Sequence, residues 1–436
     1  MEQKSFLFIN SGGESLALAI QVEKEGHKAY LVKGESEKDC PNDSGIGLLP
    51  EECLISDPWE IINTISKEDL YIIFDDNGKS IMADHLKEDG YKVIGGGAYA
   101  AKIEHERSIG TELMKTIGLN TPTTVTFDDL QTAMEYVRKQ PEDKKMVFKP
   151  EGEEFAGSSY TYTSKNGSDL LLYMQWIDEE MHSHKLSMSK FELQDFVEGL
   201  EADFEATFNG YEFMPGSVAI DIEKKKSGDG EKGEATGCMG QIEFYVKESR
   251  FFDQYMKKLE PVLRENKYVG AISINCIFDK EGEPYGLEFT SRYGWDATIS
   301  EMGILLDSGL KVSDWLMAVA DKKPFEFPHN KVACAIRMYV GSVGNDRKAV
   351  KERYFTFKPS VKDNLFFYEV SHQREAYIIE GNPPLVVNFV DKSIQKAIEG
   401  AYKVVEKVYI PDRYYRMEVG DNAKEVINHL RKYQWI

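Results

Sequence analysis

Residues 223–240 read "EKKKSGDGEKGEATGCMG": a carboxylate, three successive lysines, and a polar stretch in which glycine recurs up to Gly240. Alone, a lysine run is a solvated strand end. The glycine-rich stretch that follows at once favours another reading, a cluster of cations reaching phosphate oxygens. Lysines neutralise phosphate charge, and amides without side chains in the way can cradle the oxygens.

Outward from there, "GLEFTSRYGWDAT" (286–298) runs an apolar segment into Glu288. Strand alternation puts Glu288 and Thr290 on one face, with Arg292 just beyond, so oxygen ligands for a hard cation would stand beside a partner for an anion. Upstream, "KKMVFKP" (144–150) and "SSYTYT" (158–163) predict two strands flanking a loop with Gly152 and Gly157, a small mobile lid carrying Lys149. "FELQDFVEGLEADFEATFNG" (191–210) alternates and predicts paired strands joined near Gly199. A lid lysine, a carboxylate strand at 198–201, a lysine cluster with its glycine loop and a strand ending in Glu288 are together what a nucleotide and its magnesium require.

The first third alternates strand and helix: "SFLFI" (5–9), "ESLALAIQVEKEG" (14–26), "KAYLV" (28–32), then "DLYIIF" (69–74) and "YKVIGG" (91–96), the pattern of a parallel sheet. Its first turn, with Gly12 and Gly13, could present a helix N-terminus to phosphate, but it lacks the dinucleotide spacing and by itself reads as a tight turn. "GGGAYAAK" (95–102) fails the P-loop pattern, and no G-x-S-x-G is present. His182 and His184 read as an exposed helix end. Later segments predict an amphipathic helix at 251–266, a hairpin over 270–290 turning at "DKEG", strands "ACAIRMYV" and "LFFYEV", and a helix over 393–408 with Ile394, Ile398, Ala401, Val405 and Val408 on one face.

A chain of 436 residues should divide into two to four domains, and 42% hydrophobic residues can fill their cores. With 53 basic against 74 acidic side chains, net −21, general affinity for nucleic acid or anionic membrane is disfavoured. An anionic ligand must therefore be held by local donors. Five scattered cysteines without C-x-x-C spacing indicate neither a disulfide frame nor a zinc site, which fits a reducing cytoplasm. No apolar run nears the ~20 residues of a membrane span, and the start lacks a signal-peptide core. The mature chain is expected to begin at or near Met1.

In their order these segments resemble the glycinamide ribonucleotide synthetase (phosphoribosylamine–glycine ligase) family of ATP-grasp enzymes over nearly the full length. "AAKIEHERSIGTELMKTIGLNTPT" is similar to the segment leading into the lid, with Arg107 where a nucleotide-contacting lysine is usual, and "VFKPEG" to the lid strand with Lys149. "DFVEGLEADF" resembles the hinge strand, whose backbone at Phe196 and Val197 would meet adenine and whose Glu201 would meet ribose; Gln194 stands where a carboxylate is common. The 223–240 stretch resembles the family's most specific segment, with Lys224, Lys225 and Lys226 and a loop closing on Thr236, Gly237, Met239 and Gly240. "EFTSRYG" is similar to the magnesium strand, Glu288 and Thr290 being its ligands and Arg292 its following arginine, and "RYYRMEVG" to the terminal strand.

The resemblance implies an α/β (α+β) ATP-grasp fold: a Rossmann-like domain at 1–105, an ATP-grasp domain at 106–330 with its lid at about 122–190, and a C-terminal mixed domain at 331–436. It implies ATP and Mg²⁺ as cofactors and an acyl-phosphate route to an amide, as in purine biosynthesis. Lys225 and Arg292 would serve catalysis; Gly12, Gly13 and the Thr236–Gly240 loop would meet substrate. Small carboxylate and amine substrates, a monomer or homodimer, and a cytoplasmic setting complete the expectation. Departures are concentrated. Glu14, Ser15 and Leu16 replace a basic residue and a histidine after the glycines, "DDNGKS" replaces an acidic proline-containing turn, Ser158 and Ser159 stand for a lid lysine, and Thr290 stands for an asparagine. Three readings remain: the family reaction, the same chemistry on another amine or amino acid, and a nucleotide-binding protein without turnover.

Overall fold

Five short apolar runs form a parallel sheet at the start of the chain in the computed structural model, which describes residues 2–9, 15–33, 42–151, 160–184, 188, 190–341 and 350–436. The strands are β1 (Ser5–Ile9), β2 (Lys28–Val32), β3 (Leu54–Ile55), β4 (Leu70–Phe74) and β5 (Lys92–Ile94), in the order β3-β2-β1-β4-β5. All five residues of β4 are buried, as a strand covered on both faces requires. Because β1 pairs with both β2 and β4, the order reverses there and a crevice opens beyond the strand ends, at Ser15 and Asp75.

A second unit is a four-stranded antiparallel sheet, ordered β6-β9-β7-β8, from β6 (Thr124–Phe127), β7 (Met146–Pro150), β8 (Tyr162–Thr163) and β9 (Phe191–Asp195). Helices Leu130–Arg138 and Gly167–His184 cover it, the first capped by the Asp129 carboxylate accepting from Thr132 N–H. Met134, Met146, Phe148, Leu170, Ile177 and Phe191 belong to an apolar core of its own.

The largest sheet has nine strands. Those that position the cleft are β10 (Gly199–Phe208), β11 (Ala219–Glu223), a ribbon of β12 (Lys226–Gly228) and β13 (Lys232–Ala235) standing off the sheet, β14 (Gly240–Tyr245), β15 (Gly270–Asp279), β16 (Pro284–Thr290) and β17 (Val332–Val340). The order β16-β15-β10-β11-β14-β17 continues into strands Leu385–Asp391 and Leu365–Phe367, so one sheet crosses residue 330 without interruption. Along β10, Ala202, Phe204, Ala206 and Phe208 enter the main core, while Glu201, Asp203, Glu205 and Thr207 take the opposite face. Register then aligns Glu288, Asn275, Asp203, Asp221 and Glu243 across five adjacent strands, with Thr290, Ser273 and Glu205 in the next row. Helix Trp295–Asp307 packs over β14 and β17.

Several expectations are corrected. β9 and β10 do not pair with each other: β9 belongs to the small sheet and β10 lies between β15 and β11. Alternation shows that a segment is a strand but not its partner. Gly199 serves close approach rather than a turn, since a Cβ there would lie 2.2 Å from the Phe278 carbonyl oxygen. The 227–240 "loop" contains the β12–β13 ribbon. The 251–266 helix is broken into Arg250–Gln254, a 3-10 turn Met256–Leu259 and Glu260–Glu265, the last opening at Pro261, which has no N–H to continue a helix. "LFFYEV" divides between two sheets, only Arg413–Tyr414 of the terminal segment is strand, and Val408 leaves its helix, which ends at Val405, for a short strand. The 270–290 hairpin forms as expected. Among the described residues no helix is long and apolar enough to cross a membrane.

Candidate active site

Between the small sheet and the polar face of the large one lies a cavity of ≈ 310 Å³. Lys149 reaches it from β7, Gln194 from β9, Phe196 and Val197 from the connection between the sheets, and Glu201, Asp203, Glu205 and Asp221 from β10 and β11. Glu288, Thr290 and Arg292 close the far end. A larger cavity of ≈ 670 Å³, between helix Leu16–Lys24 and the strands near Phe366 and Asn388, contains none of the expected site residues.

The cationic side is a knot around Glu288. Arg107 donates from Nη1 to the Glu288 carboxylate and from Nε to the Pro150 carbonyl at 3.3 Å, tying the helix Arg107–Thr116 to both sheets. Burial would raise the Glu288 pKa, but Arg107, Lys149 and Lys225 outweigh it and hold it at about 2. Lys149, itself buried, is pushed down to about 8 by desolvation and by the Arg107 charge. Lys225 lies 3.3 Å from Glu223 and 3.6 Å from Asp203; desolvation disfavours its charge, yet the surrounding carboxylates raise its pKa well above the usual value.

The lysine run does not act as one cluster. Lys225 and Lys226 line the cavity, whereas Lys224 points to Asp421 at 2.8 Å and Glu231 at 3.3 Å. The run straddles the end of β11 and the start of β12, so its three side chains share no direction. Thr236 and Gly237 line the cleft, Thr236 tied to the Lys225 carbonyl through N–H at 2.7 Å and Oγ1 at 2.8 Å. Gly237 is glycine because a Cβ would come 2.6 Å from the Trp295 ring. Met239 is buried in the core and, like Gly240, lies outside the lining, so these two support the loop from beneath.

At the end of β9, Gln194 donates to Thr124 Oγ1 at 3.3 Å, and just beyond it the Phe196 N–H is already given to the Lys145 carbonyl at 3.2 Å. Arg292 is held by Glu104 at 3.2 Å, donates to the Tyr293 carbonyl at 3.1 Å, and stands 5.5 Å from the Trp295 ring centre. Gly12, Gly13, Gly152, Gly157, Ser158 and Ser159 lie outside the described residues. The crevice at Ser15 and Asp75 carries carboxylates: Ser15 Oγ donates to Asp75 at 2.5 Å and Asn77 to Glu104 at 2.9 Å.

Asn275, Glu104 and the carboxylates of the floor were not singled out from the sequence. Asn275 Oδ1 faces Thr290 Oγ1 at 3.5 Å and Ser273 Oγ at 3.1 Å, which sets an amide oxygen across the strand pair from Glu288. Its signal was the alternation of Ser273 and Asn275 within an apolar strand. Among the described residues no three His, Cys, Asp or Glu side chains converge as a metal cage. One carboxylate with neutral oxygens fits magnesium, which in phosphate sites takes most of its ligands from water and substrate. Deeper in, Asp203, Glu205, Asp221 and Glu243 all have pKa values raised well above the carboxylate range, burial being the largest cause and the neighbouring carboxylates adding to it.

Residues 106–298 match the family model for the phosphoribosylglycinamide synthetase ATP-grasp (A) domain. The chain is similar to the phosphoribosylamine–glycine ligase of Fusobacterium nucleatum, 24% identical over 95% of this chain and 97% of that one. Its fold is similar to that of the Thermotoga maritima phosphoribosylamine–glycine ligase, with a TM-score of 0.71 at 17% identity over 95% of this chain and 100% of that one. It is also similar to the Campylobacter jejuni biotin carboxylase, with a TM-score of 0.62 at 16% identity over 95% and 93% of the two chains.

Proposed function

We propose that the chain, whose residues 106–298 match the family model for the phosphoribosylglycinamide synthetase ATP-grasp (A) domain, is an ATP-dependent carboxylate–amine ligase. The observation that carries the reading is the convergence of Arg107, Lys149, Lys225 and Glu288 on one cavity between two sheets. ATP phosphorylates a carboxylate to an acyl phosphate and leaves as ADP; an amine then attacks the acyl carbon and phosphate departs as the amide forms. No protein nucleophile is needed. The chain contributes positioning and charge: Lys149 and Lys225 offset charge on the transferred phosphoryl group, and Arg107 fixes Glu288. Magnesium would be held by Glu288, the Asn275 amide oxygen and the Thr290 hydroxyl, and would neutralise phosphate oxygens. Arg292, steered by Glu104, offers a planar fork to the substrate carboxylate or the acyl-phosphate oxygens. The 124–195 unit acts as the lid that keeps water from the acyl phosphate.

In the Ser15–Asp75 and Asn77–Glu104 contacts, carboxylates occupy the crevice where a phosphoribosyl group would need donors. This favours the same chemistry on an amine other than phosphoribosylamine. The test is substrate-dependent ADP release across amine and carboxylate pairs, phosphoribosylamine with glycine included. Arg292→Ala should abolish turnover while ATP affinity stays within about threefold. ATP binding with no ADP from any pair would overturn the ligase reading, and loss of ATP binding in Arg292→Ala would overturn the role of Arg292.

A further inference from the structure

We propose that the carboxylate floor of the cleft, Glu205 and Asp221 with Asp203, binds an alkylammonium group, so that the amine substrate is an organic dication such as an aliphatic diamine. The inference rests on the ligase reading for its word "substrate" but not for the binding itself. Asp203, Glu205 and Asp221 are only 3%, 2% and 3% exposed, yet all three line the cavity. No hydrogen bond or ion pair joins Glu205 to a described residue, although it is almost wholly removed from water and only the Arg292 charge, at longer range, offsets its own. Asp221 has only the Gln241 amide, at 3.5 Å. Behind them stand Glu243 and Glu301, each with one carboxylate oxygen that has no partner.

The nearby cations are already engaged. Lys225 is shared between Asp203 and Glu223, and Arg292 is paired with Glu104. Burying unpaired carboxylates is costly, so each must hold a proton or meet a cation. Raised pKa values at these groups are the first outcome, in the absence of ligand. A bound cation is the second. Its chemistry follows from the donor set: among the described residues no three carboxylates converge as a metal cage, whereas an ammonium has three donors that separate carboxylates can share. Ala297 and Trp295, also on the cavity wall, offer apolar contact to a methylene stem.

A nitrogen clamped among carboxylates keeps its proton and is a poor nucleophile. The anchored ammonium is therefore not the nitrogen that reacts. A second amine on the same molecule, having lost its ammonium proton to water, must reach the acyl phosphate, where the C–N bond forms as the C–O bond to phosphate breaks and the departing phosphate takes up the remaining N–H proton; this is why the class is a diamine rather than a simple amine.

The test is calorimetric titration of the ADP-loaded protein with butane-1,4-diamine, with 4-aminobutan-1-ol, and with magnesium chloride alone. The diamine should bind at least about tenfold more tightly than the amino alcohol, and Glu205→Gln should weaken it by about tenfold or more while ADP affinity changes less than about twofold. Asp221→Asn, checked for folding by thermal unfolding, provides the second variant and should weaken it likewise. Equal affinity for the two probes, unchanged diamine affinity in the folded variants, or full competition by magnesium alone would overturn the proposal, the last by making the floor a metal site. Failures are distinguishable. Diamine binding without ADP release from any carboxylate sinks the ligase reading alone. ADP release with other amines and no diamine binding sinks the cation floor alone.

Discussion

The side chains of the floor and those of the Glu288 knot answer to pH in opposite ways. Burial raises the Glu301 pKa from 4.5 to about 7, and Asp203, Glu205, Asp221 and Glu243 are raised with it. A raised carboxyl keeps protons in the folded chain that the unfolded chain has lost, so stability falls as pH rises from 4.5 to about 7. Glu288, depressed to about 2, contributes stability that is lost only well below 4.5. Lys225 and Arg292 face the floor as cations and Tyr245 donates to Glu301 at 2.7 Å, which tempers the effect without reversing it. The ligand-free protein should therefore unfold at a lower temperature near about pH 8 than near about pH 5, and Glu205→Gln should narrow the gap. Scanning fluorimetry of both proteins checks this; a midpoint that rises across the range would contradict it. Glu288, Lys149 and Arg292 were legible in the sequence because each lies in a segment with a distinct pattern. The floor was not, although "EADFEATF" alternates perfectly: alternation marks two faces and does not say that the polar one looks into a cleft instead of solvent.

At the level of elements, the β12–β13 ribbon owes its position to one buried side chain far along the chain. Arg416 is 0% exposed and donates to the Lys226 carbonyl at 2.6 Å and to Glu231 at 2.9 Å, with Asp229 at 3.4 Å and Glu418 also in contact. Removing it leaves carboxylates without their partner and frees the ribbon beside Lys225. Arg416→Ala should cost about 2 kcal/mol in urea unfolding, discounted because Glu231 and Asp229 are half exposed, and should weaken ATP binding more than Arg413→Ala does. Equal losses from the two substitutions would deny the ribbon its special anchor. Strands of this region could be read as strands, yet their partners could not. Nothing in the 191–210 segment announces that β9 and β10 go to different sheets, because the glycine between them is needed for a close crossing over Phe278 and looks like a turn.

Across the whole molecule, one face of the parallel sheet joins the large antiparallel sheet in a single apolar core while its other face packs a cluster of its own, and the 124–195 unit has a separate core. Tyr71 and Lys92 meet Asp321 at 3.1 and 3.0 Å, and the Glu25 carboxylate accepts from the N–H groups of Val312 and Ser313, welding the first sheet to helix Val312–Ala320. ATP should thus slow amide exchange within 124–195 and its connections far more than within β1–β5. Uniform protection, or none in the small sheet, would argue against a lid. The parallel sheet was readable because its strands are consecutive and its helices local. The nine-stranded sheet was not, since β14 is completed by β17 and by Leu385–Asp391, which are distant in sequence.

That dependence on distant partners has a temporal side. During synthesis the first sheet and the small unit have all their residues long before Arg416 exists, whereas the ribbon at Lys226–Ala235 must wait for a contact about 190 positions downstream. Loop closure over such a span is slow and comes late. A nascent chain can therefore hold folded outer parts while its cleft is still unfinished, and competence to take up nucleotide arrives as one of the last events in its making.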